Sequence, residues 1–306
     1  MRIKGAKTCS GSVYTVRCRR VPQRAMAAYR LRREKTLYLT DLDGTLLRSD
    51  ETISTRSAEL INRMVAEGMH FTYATARSRN TARKVTAGLD ARMPVIVYNG
   101  AFVLDNTDGS VLVGNYFAKD EADEILGSIL RAGVSPIVYA RHEGKEQFRY
   151  NVRTAGESAM GYVATRAGDP RDTPVECDEA LYMDDVFYFT CIAEECLMRP
   201  LYERYRDRYH CVYYKEIYTG VYWLEIMPAA ATKAHAGQQL KNWYGASRVV
   251  AFGDSTNDSE LFDLADECYA VANATPQLRS RATAVIGDNN SDSVARWLCR
   301  RWDRII

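Results

Sequence analysis

The sequence predicts a doubly wound α/β fold, mainly parallel and Rossmann-like, interrupted by an inserted α+β domain. Three observations carry this. Apolar strands alternate with amphipathic helices from residue 36 to about 101, the pattern of parallel strands joined by crossovers. Residues 102 to 223 then read as hairpins and helices. From residue 224 to 306 the α/β alternation resumes, so the middle stretch is read as an insertion into one core and not as a second tandem domain.

The elements follow in order. Leu37 to Thr40 form an apolar strand that runs into Asp41-Leu42-Asp43-Gly44-Thr45. Side chains two apart on a strand share a face, so Asp41 and Asp43 are expected to project together. Gly44 allows the sharp turn that follows. Ser54 is placed to cap a helix whose apolar positions Ala58, Ile61, Met64 and Val65 recur at helical spacing before Gly68. A strand from His70 to Ala74 ends in Thr75-Ala76-Arg77-Ser78, with a helix to about Leu89. Pro94 to Tyr98 is a short strand broken by Asn99-Gly100.

In the insertion, Asn106-Thr107-Asp108-Gly109 is a hairpin turn between strands 101–105 and 110–115. A helix carries Ile125, Leu126, Ile129 and Leu130 in phase and stops at Gly133. Strands 134–141 and 147–152 pair across Glu143-Gly144-Lys145. Further strands at 186–192 and 211–214 flank a helix near 194–209. The core is then expected to resume with a strand from Val221 to Met227 and a helix with Ala236, Leu240 and Trp243 on one face. A strand 248–252 leads into Gly253-Asp254-Ser255-Thr256-Asn257-Asp258, and strands near 268–272 and 283–286 precede a last helix from Ser291.

Composition narrows the class. At 306 residues, 46% hydrophobic and 26% charged, the chain has ordinary globular composition, and no apolar run approaches the roughly 20 residues a bilayer helix needs. The eight cysteines show no C-x-x-C pair and the four histidines are scattered, which argues against a zinc site or a disulfide framework. The net charge of +2 is uneven: residues 1–35 hold eleven Lys and Arg against one Glu, leaving a net of −8 beyond them. That leader is read as a disordered, dispensable extension in preference to a targeting segment or sequence upstream of the true start, with nucleic-acid binding last because only Tyr14 and Tyr29 offer stacking there. The expected location is cytoplasmic, without membrane or nucleic-acid partners, as a monomer or weak homo-oligomer.

Four polar groups fall where parallel strands end and helices begin, the usual ligand edge of an open α/β sheet. They are the Asp41/Asp43 pair, Thr75, Lys233 with Thr232 as its cap, and Asp254 with Asp258. Carboxylates so close repel unless a cation or a shared proton relieves them, so the pair predicts a metal, a proton transfer, or both. A hydroxyl and an ammonium suit phosphate oxygens. Taken singly, Thr75 reads as a helix cap, Lys233 as a solvated lysine and Asp254/Asp258 as a capped loop; their order along successive strand ends favours a site.

These motifs resemble the four ordered motifs of the haloacid dehalogenase superfamily. Tyr98-Asn99-Gly100, the insertion between the second and third motifs, and Val271-Ala272-Asn273-Ala274 resemble more narrowly its Cof-type phosphatases with a type IIB cap. The sequence departs from the family's usual Gly at Ala76, and from Gly or a similar residue at Ser255. The resemblance implies hydrolysis of a phosphomonoester, a sugar phosphate foremost among small phosphorylated metabolites, through an aspartyl-phosphate. It implies Asp41 as nucleophile and Asp43 as general acid and base. It implies Mg²⁺ on Asp41, the Asp43 carbonyl, Asp254 and Asp258, with Thr75, Lys233 and Asn257 on phosphate oxygens. Arg77, Asn99 and Gly100, which adjoin the core motifs, are expected to contact substrate. A phosphomutase of the same superfamily, or an idle binding protein on this fold, are the other readings. The second acid, Asp43, separates phosphatases and mutases from dehalogenases.

The insertion, as a cap, is expected to close over the site. It is rich in tyrosine (139, 150, 162, 182, 188, 202, 205, 209, 213, 214, 218 and 222), which suits a stacking wall for a ring but more simply fills a half-buried sheet. Arg149 and Arg153 are candidates for a second anionic group.

Overall fold

The computed structural model describes residues 36–216 and 220–303, so the expectations for residues 1–35 and for Tyr218 lie outside the described residues. Near the middle of the parallel sheet lies β1 (Thr36–Thr40), whose residues Leu37 to Thr40 are all buried. On one side it pairs with β2 (His70–Tyr73), on the other with β12 (Arg248–Gly253), both parallel. The sheet continues through β13 (Glu267–Ala270) to β14 (Ala284–Val285), again in parallel. A strand buried on both faces reads as a continuous apolar run, which is what Leu37-Tyr38-Leu39 is.

Helix α1 (Thr55–Ala66) links β1 to β2, with the Ser54 hydroxyl accepting from Ser57 N–H at 3.0 Å and Ala58, Ile61, Met64 and Val65 buried. It packs against α9 (Ser293–Asp303). Helix α2 (Arg79–Val85) follows β2, and β3 (Val95–Val97) lies beside it through a parallel bridge from Ala74 to Ile96. The hairpin β4 (Phe102–Leu104) and β5 (Val111–Gly114) pairs antiparallel onto β3, so these residues extend the core side.

The insertion builds a second sheet. Helix α3 (Lys119–Arg131) leads to the hairpin β6 (Ile137–His142) and β7 (Lys145–Asn151), turned by Glu143 and Gly144 at φ 49° and 75°. Two positive φ values in a two-residue loop match the twist of a hairpin. Then come α4 (Glu157–Ala164), β8 (Asp172–Val175), β9 (Val186–Ala193), α5 (Glu195–Tyr205), β10 (His210–Lys215) and β11 (Tyr222–Met227). The sheet order is β10-β11-β9-β6-β7-β8, antiparallel except for β7 with β8.

Three features differ from the sequence expectation. The strand 222–227, expected to return to the core, is β11 of the antiparallel sheet, between β10 and β9. An apolar strand does not announce its partner, and one that follows another strand after so short a loop can only form a hairpin. Helix α4, strand β8 and helix α8 (Pro276–Arg281) were not read from the sequence. Trp243, at the end of α6 (Lys233–Trp243), is 56% exposed, although Ala236 and Leu240 are buried as their spacing predicts.

Strand alternation gives the antiparallel sheet two chemically distinct faces. Val138, Ala140, Val186, Phe189, Cys191, Leu224 and Ile226 share a core with Ile125, Leu126 and Ile129 of α3 and Met198 and Leu201 of α5. The opposite face, including Tyr139, Phe148, Tyr150, Tyr188 and Met227, is continuous with the core around the parallel sheet. Tyrosines of the insertion therefore divide between structural and site-facing sets. Among the described residues, no helix is long and apolar enough to cross a membrane.

Candidate active site

The carboxyl ends of β1, β2 and β12 lie on one edge of the sheet because those strands are parallel. Asp41 follows β1 directly, its N–H donating to Phe252 O at 2.9 Å, and its side chain is buried. Lys233 opens α6, where Thr232 accepts from His235 N–H at 3.0 Å as the cap. From there Lys233 Nζ donates to Asp41 Oδ1 at 2.6 Å and to Asp258 Oδ1 at 2.7 Å. The second Asp258 oxygen accepts from the N–H groups of Asp254 at 3.0 Å and Ser255 at 3.2 Å. That loop demands a glycine at 253, since a Cβ there would lie 2.7 Å from the Asp258 side chain.

Asp254 accepts from Thr45 Oγ1 at 3.3 Å and lies against Gly44. Gly44 has φ +72°, and a Cβ on it would lie 2.5 Å from Asp254 Oδ2, so both its conformation and its neighbour exclude a side chain. Asp43, in contrast, turns away to the rim. Its side chain is 45% exposed and held by Arg77, whose Nε and Nη2 reach its oxygens at 2.8 and 2.6 Å while Nη2 also meets Glu51 at 2.7 Å. The hydrogen bonds to Asp43 hold Arg77 firmly protonated.

Thr75 is buried, and its hydroxyl accepts from Arg77 N–H at 3.1 Å. It does not cap α2: Ser78 does, accepting from Thr81 N–H. Asn99 and Asn257 meet, Nδ2 of Asn257 donating to Asn99 Oδ1 at 3.3 Å. Gly100 contributes close packing, at φ +103° with the space for a Cβ filled by Thr232 O at 2.2 Å. Arg149 and Arg153 do not join the site; Arg149 donates to Ala180 O and Gln147, and Arg153 pairs with Glu176 on the surface.

Charge is unbalanced at the centre. Ligand oxygens of Asp41, Asp254 and Asp258 lie within 4.8 Å of one another, and among the described residues Lys233 is the cation in contact with two of them. Burial pushes the Asp41 carboxyl well above its usual range, against the pull of Lys233, and the charges of Asp258 and Asp254 push it further. Burial and the Asp258 charge likewise raise Asp254 to about 6. Burial alone would discharge Lys233, but Asp258 and Asp41 outweigh it and hold its ammonium charged. Hard carboxylate oxygens in excess of positive charge fit a divalent cation such as Mg²⁺. Asp41, Asp254 and Asp258 are the side chains able to hold it; the Asp43 carboxylate stands outside this cluster.

Beside Asp43 opens a cavity of about 580 Å³ between the two sheets. Arg77 and Ser78 line one end, and Tyr139, Tyr162, Tyr188, Tyr214, Trp223 and Glu225 the other. Glu225, Trp223, Arg166 and Arg171 were not singled out by sequence reasoning. The available signal was Glu225 itself, one acid within the otherwise uncharged run Tyr-Trp-Leu-Glu-Ile-Met.

A family model described as haloacid dehalogenase-like hydrolase matches residues 38–298. The chain is 25% identical over 275 residues to the 5-amino-6-(5-phospho-D-ribitylamino)uracil phosphatase YitU of Bacillus subtilis, covering 86% of this chain and 96% of that protein. It is 23% identical over 269 residues to the pyridoxal phosphate phosphatase YbhA of Escherichia coli, covering 84% and 95%. The solved structure of the HAD subclass IIB sugar phosphatase BT4131 aligns with a TM-score of 0.68 at 17% identity, over 89% of this chain and all of that one. At that identity the likeness is one of fold.

Proposed function

The chain belongs to the haloacid dehalogenase-like hydrolases, and from that premise we propose that it is a Mg²⁺-dependent phosphatase of small phosphorylated metabolites, acting through a phosphorylated Asp41. The observation that carries this is Lys233 bonded to both Asp41 and Asp258 beside Asp254, a buried cluster in which three carboxylates outnumber one ammonium. Relatives named as phosphatases of an aminouracil ribityl phosphate and of pyridoxal phosphate support the reaction class.

In this reading an Asp41 oxygen attacks phosphorus and the ester P–O bond breaks. Asp43 gives a proton to the departing alkoxide, then takes one from the water that cleaves the acyl phosphate. For Asp43 to carry that proton, Arg77 must release it, and the guanidinium fork is then free for phosphate oxygens. In the same reading Lys233, the Thr75 hydroxyl and Asn257 hold the remaining oxygens. Asp41, Asp254 and Asp258, with the Asp43 carbonyl as a further ligand, would hold Mg²⁺, which would supply charge neutralisation for an anionic substrate approaching an anionic nucleophile. The antiparallel layer, from about residue 115 to 227, acts as the cap and supplies leaving-group contacts.

The test is free phosphate released from a panel of sugar phosphates, pyridoxal phosphate, nucleotides and a chromogenic ester, with Mg²⁺ or EDTA. Release that needs Mg²⁺ and vanishes in Asp41→Asn is expected. Turnover surviving in Asp41→Asn, or silence across the panel with Mg²⁺, would overturn the reading. Movement of label between hydroxyls of a hexose phosphate would mark a mutase instead.

A further inference from the structure

One turn touches several parts of the site at once. Tyr98, Asn99 and Gly100 follow β3 with φ of 51°, 53° and 103°, three left-handed residues in succession. Glycine and asparagine are the residues that enter that region most readily, whereas a bulky side chain there is an outlier. Such a backbone persists only where its surroundings over-determine it. Here the surroundings are the site itself. Tyr98 N–H donates to Arg77 O at 3.0 Å, Asn99 N–H to Thr75 O at 2.9 Å, and Thr75 N–H to Ile96 O at 3.0 Å. The Asn99 side chain meets Asn257, and Gly100 packs on Thr232, the residue before Lys233.

The side chain of Tyr98 leaves this turn and enters the antiparallel layer. Its ring is buried against Tyr139, Phe187 and Tyr188, with centroids 5.0 to 6.1 Å away. Its hydroxyl donates to Glu146 Oε2 of β7 at 3.0 Å and accepts from Nη1 of Arg171, just ahead of β8. Arg171 is only 5% exposed, and its other nitrogens fork onto Asp169, Nε at 2.9 Å and Nη2 at 2.5 Å. Two parallel bonds fix the plane of a guanidinium, so Nη1 is aimed at the phenol and not free to swing. Filling the aromatic pocket would need only phenylalanine at position 98. A phenol held between a buried cation and a carboxylate also fixes where the ring stands, and with it the strained turn.

We propose that Tyr98 is a positioning residue: Arg171 and Glu146 of the antiparallel layer hold its hydroxyl, and its turn holds Thr75 and Arg77 in place for the phosphate. This rests on the phosphatase reading only for what Thr75 and Arg77 hold. The layer over the site and the loop that grips the phosphate are thereby joined through one hydroxyl.

The test takes two readouts on the full chain: hydrogen–deuterium exchange at the amides of Thr75, Tyr98 and Asn99, and kcat and KM on p-nitrophenyl phosphate with Mg²⁺. Tyr98→Phe removes one oxygen and keeps the ring. Exchange at those three amides is expected to quicken about tenfold, the range of a hydrogen bond to a charged partner, while the amides of β12 are unchanged. kcat should fall about tenfold, since a displaced grip acts on the chemical step. Arg171→Met should do at least as much. Because the two side chains share one contact, the double variant should be no slower than Arg171→Met alone, whereas independent losses multiply. Thermal melts identify an Arg171→Met chain that fails to fold, and Glu146→Met then takes its place in the cycle.

Unchanged exchange in Tyr98→Phe, unchanged kcat where the wild type turns over, or multiplying losses in the double variant would overturn the proposal. A rise in KM alone, with exchange and kcat intact, would overturn it as well and make Tyr98 and Arg171 substrate contacts. Quickened exchange at the three amides in a protein whose wild type turns over no ester rejects the phosphatase reading and leaves the hold of Tyr98 on Thr75 and Arg77 standing.

Discussion

Replacing Lys233 by Met tests the charge arrangement directly. Met keeps most of the volume of a fully buried side chain and removes only the ammonium. Asp41 Oδ1 and Asp258 Oδ1, at 2.6 and 2.7 Å from it, then lose their shared partner. Breaking a buried pair by deleting one member costs about 3–5 kcal/mol. At roughly 2–4 °C per kcal/mol for a large domain, melting should fall by about 6–20 °C in EDTA. The pH dependence has a definite sign. Lys233 has its pKa raised, so its contribution persists below the unfolded value near 10.4 and is constant across pH 5–8. Asp41 also has a raised pKa, so it takes up a proton as pH falls and its repulsion with Asp258 is relieved. The deficit of Lys233→Met should therefore be largest above pH 7 and shrink toward pH 5, and Mg²⁺ should restore part of it. Turnover should drop by about 10²-fold or more. Differential scanning calorimetry at pH 5, 6, 7 and 8 decides it. A variant as stable as wild type at pH 8 would refute the reasoning, because the two carboxylates would then not depend on Lys233.

Other perturbations follow from the same geometry. Gly44→Ala should lose about 1–3 kcal/mol from its φ of +72° and push Asp254 aside, so the Mg²⁺ concentration for half-maximal activity rises; an unchanged titration would separate Asp254 from the metal. Arg77→Lys cannot reproduce the fork on Asp43, and kcat/KM should fall by about tenfold or more despite the retained charge, measurable on any substrate that turns over. Glu225, raised from 4.5 to about 6, destabilises the fold by up to about 2 kcal/mol once pH passes 6 and not at all below about 4.5. Chemical denaturation of Glu225→Gln should accordingly show it gaining on wild type between pH 4.5 and 7. A constant difference over that range would contradict the placement of Glu225.

Much of this was legible because local chemistry is. The Asp41-to-Thr45 turn, the Ser54 and Thr232 caps and the Gly253 loop each carry their own signal in residue type, and the structure brings Asp41, Lys233, Asp254 and Asp258 into mutual contact. What escaped was pairing. Tyr222–Met227 has the same alternation whichever sheet it joins, and its place between β10 and β9 is set by strands tens of residues away. With that strand assigned to the core, Trp223 and Glu225 had no reason to be read as cavity residues. The tyrosines posed the same problem: Tyr139 and Tyr188 face the site while Tyr205 and Tyr209 hydrogen-bond Glu124 and Glu121 behind the sheet, a division fixed by register and not by residue type.

The order of the parallel sheet also bears on how the polypeptide is assembled. β1 finds β2 within a few dozen residues, but its other neighbour is β12, with Thr36 opposite Arg248. During synthesis the whole antiparallel layer emerges before that neighbour exists. Nearly all of its own strand pairs join segments close in sequence, whereas the β1–β12 pairing closes a loop of some two hundred residues. Local pairings form first and distant ones last, so contact order favours closing the antiparallel layer before β1 gains β12, and until then the apolar edge of β1 on that side has no strand to cover it.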